Sequence, residues 1–195
     1  MVGESKTILI TIFSGCNFFL DKKNKCSYNG YEVIKLDYKP FETELAISNY
    51  YKSIGILEPY QIDLEAISDG LGINLTYTTK KTFAFENGRF RMINVDASLP
   101  EHLKREHYFH ELCHVLRHYG SQLFLASAFI QLQEYDAVRF TRYAAIPYHM
   151  INQFDLHDPF VISKMAQAFC VSEQVVSDRL DGILRNSLER GYCYG

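Results

Sequence analysis

The run His110-Glu111-Leu112-Cys113-His114 sets two imidazoles and a carboxylate at a spacing suited to metal-assisted hydrolysis. Residues four apart share one face of an α-helix, about 5 to 6 Å apart at Cβ, so His110 and His114 can converge on one tetrahedral ion. Glu111 follows His110 by about 100° of helix rotation, which lets it flank the ion rather than bind it. There it can take a proton from a water on the metal, whose pKa zinc lowers from about 15.7 to about 7. The competing interpretation is three common polar residues on a solvated helix face.

Two histidines hold zinc poorly, so a third ligand is needed. His118 continues the stripe, but eight residues of helix put it about 12 Å from His110. It suits either a supporting or substrate-facing role or an ordinary polar helix end. Glu134 sits on a second helical stripe with Ile130, Ala137, Val138, Thr141 and Ala145, all apolar or small and fit for close helix packing. A carboxylate buried there without a partner would cost on the order of several kcal/mol, which a metal would relieve. The alternative leaves that side chain in water. Asp136 has Arg139 three residues on to satisfy it.

These residues must be positioned by surrounding elements. Ser98-Leu99-Pro100-Glu101 reads as a helix start, with Ser98 as N-cap, and the helix runs unbroken to about His118, with Gly120 beyond it. Its buried side is expected from Leu103, Phe109, Leu112, Val115 and Leu116. The helix carrying Glu134 spans roughly 125–145 and stops before Pro147. Upstream, the pattern predicts helices over 41–54 and about 61–69, the latter punctuated by Gly70 and Gly72, and a strand over 73–78. A hairpin follows, with its corner at Glu86-Asn87-Gly88-Arg89. Downstream, Asp158-Pro159 and Ser172 start two shorter helices, the first through Phe169 and the second through Leu184. Residues 1–40 read as an extended appendage, with a buried strand near Ile8–Phe13 and a tight turn at Asn29-Gly30.

The chain has 195 residues with 47% hydrophobic side chains, enough for one well-buried domain. A net charge of -3 gives no electrostatic case for a general nucleic-acid binder. No apolar run is long enough to cross a membrane. The amino-terminal apolar run is too short and too weakly basic for an export signal. Five cysteines, odd in number and without a C-x-x-C pair, suit a reducing, cytoplasmic setting. Residues 166–180 have a helix-turn-helix look. From Asp155 to the end, however, four basic residues face six acidic ones, the wrong sign for phosphate contact.

The metal motif, followed by Glu134-x-Asp136-Ala137-x-x-Phe140 and then Ile146-Pro147, resembles the ImmA/IrrE family of metallo-endopeptidases. In that family the helix after the zinc helix typically reads E-x-x-A-N-x-F-A and runs into L-L-M-P. Its first glutamate, the third zinc ligand, corresponds to Glu134. The interval from His114 to Glu134 is also similar to that of thermolysin-like gluzincins. Upstream, Ile62-Asp63-Leu64-Glu65-Ala66-Ile67 and Leu71-Gly72-Ile73 resemble the family's first helix and strand. The likeness covers about 41–185. Three positions depart from the pattern: Cys113 stands where glycine is usual, Val138 where asparagine is usual, and Ala144-Ala145-Ile146 in the L-L-M run. Cys113 suits packing better than service as a soft extra ligand. Without the asparagine, the support for a zinc histidine is unassigned.

The resemblance implies an α+β fold: a mainly helical zincin-like domain over 41–195, with a small three-stranded sheet beside the metal-binding helix. It implies Zn2+ on His110, His114 and Glu134, with Glu111 as general base. It also implies a phage-related regulatory protease whose protein substrate is a helix-turn-helix repressor. Tyr119, Tyr135, Arg139 and Tyr148 are the candidates for stabilising an oxyanion. The alternative is a non-catalytic, metal-stabilised regulator that binds a transcription factor, against which the presence of Glu111 argues.

Overall fold

The computed structural model describes residues 8–11, 26–28, 31–36, 38–118 and 126–192. Strands β1 (Ile8–Thr11), β2 (Cys26–Tyr28) and β3 (Tyr31–Leu36) form an antiparallel sheet in the order β1-β3-β2. The Asn29-Gly30 turn lies outside the described residues, as do Tyr119 and Gly120; the strands flanking that turn pair Tyr28 with Tyr31. Then come α1 (Glu42–Ser53), α2 (Leu64–Leu71), β4 (Asn74–Thr78), β5 (Phe83–Glu86) and β6 (Arg91–Asp96). The remainder is helical: α3 (Glu101–Arg117), α4 (Ser127–Ala145), α5 (Tyr148–Ile151), α6 (Val161–Phe169) and α7 (Glu173–Tyr192). The molecule is α+β and mainly helical, as expected.

The second sheet has the order β4-β6-β5, with β4 parallel and β5 antiparallel to β6. Asn-Gly makes its corner: Gly88 takes φ +82, which glycine adopts without a Cβ penalty, and the Asn87 side chain accepts from the Arg89 and Phe90 N–H groups. Central strand β6 is buried at Ile93, Asn94 and Val95. The polar residue among them is satisfied, because Asn94 accepts from Thr78 and Thr76 and donates to the carbonyls of Lys80 and Lys81. Helix α3 lies across β5 and β6 and packs on its other flank against α4. Its inner face is Tyr108, Phe109, Leu112 and Cys113, all buried; Leu116, expected inside, is 39% exposed.

Three helix starts differ from expectation. Helix α6 begins at Val161 with Phe160 as N-cap, because the Asp158 carboxylate accepts from the Phe160 N–H in a turn before the helix. Helix α3 is capped at Pro100, because Ser98 instead gives its N–H and hydroxyl to the Asp96 carboxylate at 2.9 and 2.6 Å, forming a turn before the helix. Helix α2 begins only at Leu64, since Pro59–Gln61 form a separate 3-10 turn and Asp63 accepts from the Ala66 N–H as the true N-cap. Gly72 ends it in the left-handed conformation. Ser172 does cap α7, accepting from the Val175 N–H, and that helix continues well beyond Leu184.

The ends of the helical part are tied by an ion pair with no signal in local spacing. Glu44 of α1 and Arg179 of α7 are 0% and 2% exposed and bond to each other. Glu44 also accepts from the Tyr38 hydroxyl and the Phe41 N–H, while Arg179 donates to the Ile146 carbonyl and lies over the Tyr143 ring. Residues 166–180 thus use their one buried arginine internally. Breaking a buried pair from one side strands the other charge. Arg179→Ala should therefore cost about 3 to 5 kcal/mol, a fall in melting temperature of about 6 to 20 °C for a chain of this size. Glu44→Gln combined with Arg179→Met should recover most of that. Circular dichroism melts test both statements; an unchanged midpoint in Arg179→Ala would show that the pair carries no net stability.

Candidate metal centre

Helix α3 delivers His110 and His114 from successive turns, and α4 brings Glu134 opposite them. The His110 and His114 Nε2 atoms are 3.2 Å apart, and the Glu134 carboxylate oxygens lie 3.1 Å from His110 and 3.5 Å from His114. Ligands 2.0 to 2.2 Å from a tetrahedral zinc are about 3.3 to 3.6 Å from one another, so the three donor atoms stand close to three corners of such a site. Burial, with His110 adding to it for His114, depresses both imidazole pKa values against the opposing pull of Glu134; His114 falls to about 4. Both rings are therefore neutral near pH 7, the form that ligates a metal.

Glu134 reaches this position for a reason other than the one its stripe suggested. Ala137, Thr141 and Ala145 are buried, but the Glu134 side chain is 44% exposed and Val138 43%, so the carboxylate is not enclosed within a helix interface. The argument from an uncompensated buried charge therefore fails, while convergence with the imidazoles holds.

Glu111 is half-buried beside β5. Burial raises its carboxyl pKa, the Ala84 backbone N–H works against that, and Glu134 adds to the rise. Glu111 and His110 line an open cleft of about 640 Å³ whose other walls include Lys81, Glu106, His107 and Arg142. Glu106 and His107 lie one turn before His110 on α3, a spacing legible in the sequence, whereas Lys81 and Arg142 reach the cleft only through the tertiary fold. Arg142 is paired with Asp178 at 2.7 Å. Of the oxyanion candidates, Arg139 is bound to Asp136 at 2.8 Å, Tyr135 is 69% exposed, and Tyr148 packs at a tilt against Tyr38, beside the Glu44–Arg179 pair.

Behind the imidazoles lies a second group of polar side chains. His118 Nδ1 is 2.9 Å from His114 Nδ1, and His118 Nε2 is 3.3 Å from Asp136. Asp136 also accepts from Arg139, as its spacing suggested, and from Arg117 at 2.7 Å. Although burial opposes its ionisation, these guanidinium contacts hold its pKa below the usual carboxylate value.

A helix bearing His-Glu-x-x-His, laid on a small mixed sheet and against a second helix that supplies a carboxylate, defines a metallopeptidase-like domain. Residues 69–181 match the Peptidase_M78 family, the IrrE N-terminal-like domain, and the chain belongs to that family. Two relatives come from Bacillus subtilis. The uncharacterised protein YqaB is 29% identical over 138 residues, covering 69% of this chain and 79% of its own. The phage-like element PBSX protein XkdA is 27% identical over 137 residues, covering 69% of each. The family assignment agrees with the ImmA/IrrE resemblance of the motifs. Among the described residues no helix is long and apolar enough to cross a membrane.

Cys113, inside the motif, is 0% exposed. Burial, reinforced by the negative charge of Asp136, pushes its pKa up to about 12. At pH 8 such a thiol is ionised in about one part in ten thousand, so it should resist alkylation. Iodoacetamide labelling of native protein, mapped by mass spectrometry, should modify Cys113 at least about tenfold more slowly than in the denatured chain. Equal rates would mean that the α3–α4 contact opens readily.

Proposed function

We propose that this protein is a zinc-dependent endopeptidase in which His110, His114 and Glu134 hold the metal and Glu111 is the general base. The observation that carries this reading is the approach of three donor atoms from two helices to near-tetrahedral separations, with a fourth, non-ligating carboxylate beside them in an open cleft. When bound, zinc supplies Lewis acidity to the scissile carbonyl and to the attacking water. Glu111 takes the proton from that water and returns it to the leaving amine. Its raised pKa brings the carboxylate closer to the ambient pH at which proton transfer in both directions is effective. Strand β5 pairs on one side with β6 and has Glu111 close to its Ala84 N–H, so an extended substrate lying along β5 would pass the base.

The substrate we propose is a helix-turn-helix repressor of a phage or other mobile element, cleaved in the cytoplasm. Membership of a peptidase family and similarity to a protein of a phage-like element support this choice. In the alternative, the domain binds such a transcription factor without cutting it.

The test is incubation of the zinc-loaded chain with a repressor encoded beside it. Specific cleavage is expected, with loss on chelation and a drop of about 10²- to 10⁴-fold in Glu111→Gln, which should still bind zinc. Equal cleavage by Glu111→Gln would remove Glu111 from the mechanism. An intact repressor that forms a stable complex with the protein would establish the non-catalytic alternative.

A further inference from the structure

His118, Asp136 and Cys113 come together next to the proposed zinc site and present donor atoms of their own, so a second cation site is the first possibility to weigh. Two observations oppose it. The Asp136 charge is already matched by Arg117 and Arg139, and the Cys113 thiol is 3.8 Å from the Asp136 carboxylate with which it would have to share an ion. What remains is a directed chain of hydrogen bonds that ends on a proposed metal ligand.

We infer that His118 is a positioning residue for His114, oriented in turn by Asp136, and that it fixes the tautomer in which His114 presents Nε2 to the metal. This deepens the zinc-site reading and rests on it.

The direction of the chain follows from donor and acceptor chemistry. An ionised carboxylate only accepts, so His118 Nε2, 3.3 Å from Asp136, must be the N–H donor. With His118 neutral, its single N–H on Nε2 leaves Nδ1 as an acceptor. His114 Nδ1 is 2.9 Å from it, so His114 must place its own proton on Nδ1 and leave the Nε2 lone pair free. That Nε2 faces His110 and Glu134, where a metal would sit. The opposite tautomer would set two acceptors against each other at Nδ1 and point an N–H at the metal position. Arg117 and Arg139 keep Asp136 ionised and in place, so the arrangement is anchored at its far end by two cations.

The geometry also explains how a residue eight positions from His110 can serve the same ion without touching it. His114 is one turn from each, and its ring stands between them, with centroids 4.9 Å from His110 and 5.0 Å from His118. Side-chain exposures of 15% for His114 and 11% for His118 leave little room for water to replace the contact.

The experiment compares zinc affinity, by competition with a chromophoric chelator, for the full wild-type chain, His114→Ala, His118→Ala and His118→Asn. Asparagine can set its amide oxygen near the former Nδ1 position and restore the acceptor. His118→Ala should bind zinc about 10- to 100-fold more weakly, the usual cost of losing a partner behind a ligand. His118→Asn should stay within about threefold of wild type, because the acceptor is kept. Nitrogen-15 NMR of metal-free wild type should show the His114 proton on Nδ1.

Wild-type affinity in His118→Ala, alongside loss in His114→Ala, would overturn the positioning role and leave the zinc site standing. Equal weakening by alanine and asparagine would also overturn it, showing that His118 acts only by filling space. A proton on His114 Nε2 in the NMR spectrum would refute the tautomer assignment even if a variant failed to fold. Wild type that binds zinc no better than His114→Ala would remove the zinc reading, and this inference with it.

Discussion

The closeness of α3 to α4 is the constraint on which the site depends. His110 and His114 come from one helix and Glu134 from the other, so donor separations of 3.1 to 3.5 Å persist only while the helix axes keep their distance. Small side chains at the contact allow this. Cys113 and Ala137 are both 0% exposed, and a larger residue at either position would force the helices apart. The cysteine in place of the family's usual glycine is thus compatible with packing, because its thiol lies 3.8 Å from the Asp136 carboxylate, in space that the ion pairs of Asp136 already define.

That contact is supported from outside by charge. The Asp136 carboxylate on α4 takes Arg117 from the end of α3, so the bond spans the same interface as the His110–His114–Glu134 cluster. The Glu44–Arg179 pair does the equivalent work at the far end of α4, where Arg179 also holds the Ile146 carbonyl just past the helix. A buried ion pair is a poor source of stability compared with apolar packing, but it tolerates few alternative arrangements. Its partners here, Tyr38, Phe41, Tyr143 and Ile146, fix how α1 and α7 enclose α4.

The division between what sequence reveals and what it hides follows from range. His110, Glu111 and His114 are legible because their relation is contained in one helix turn, and the hairpin corner because Asn-Gly has local conformational meaning. Glu134 is legible through its place on the α4 face, although its side chain is only part-buried there. The Ser98 cap was misread because a serine two residues after an aspartate has a rival turn to make, and only the observed Asp96 contact decides between them. Glu44 and Arg179 lie at opposite ends of the helical part, where no periodicity connects them. The cleft walls at Lys81 and Arg142 are hidden in the same way, whereas Glu106 and His107 share a helix turn with His110 and carry a local signal.

Val138 bears on how far the site can depart from its family and still bind metal. Where asparagine is usual, an apolar side chain faces the cleft and can hold no imidazole. A histidine ligand with an unsatisfied Nδ1 would rotate and lose its tautomer preference, so some other group must take that contact. The structure supplies His118 on the ligand's own helix, anchored to Asp136 two positions before Val138 on α4. Support from α4 is therefore indirect: Asp136 holds His118, and His118 holds the imidazole. The consequence is a stronger dependence of the proposed metal site on the carboxyl-terminal turn of α3, which His118 caps. Substitution at position 138 is then tolerable for metal binding, and its effect falls on the cleft wall that a substrate would meet.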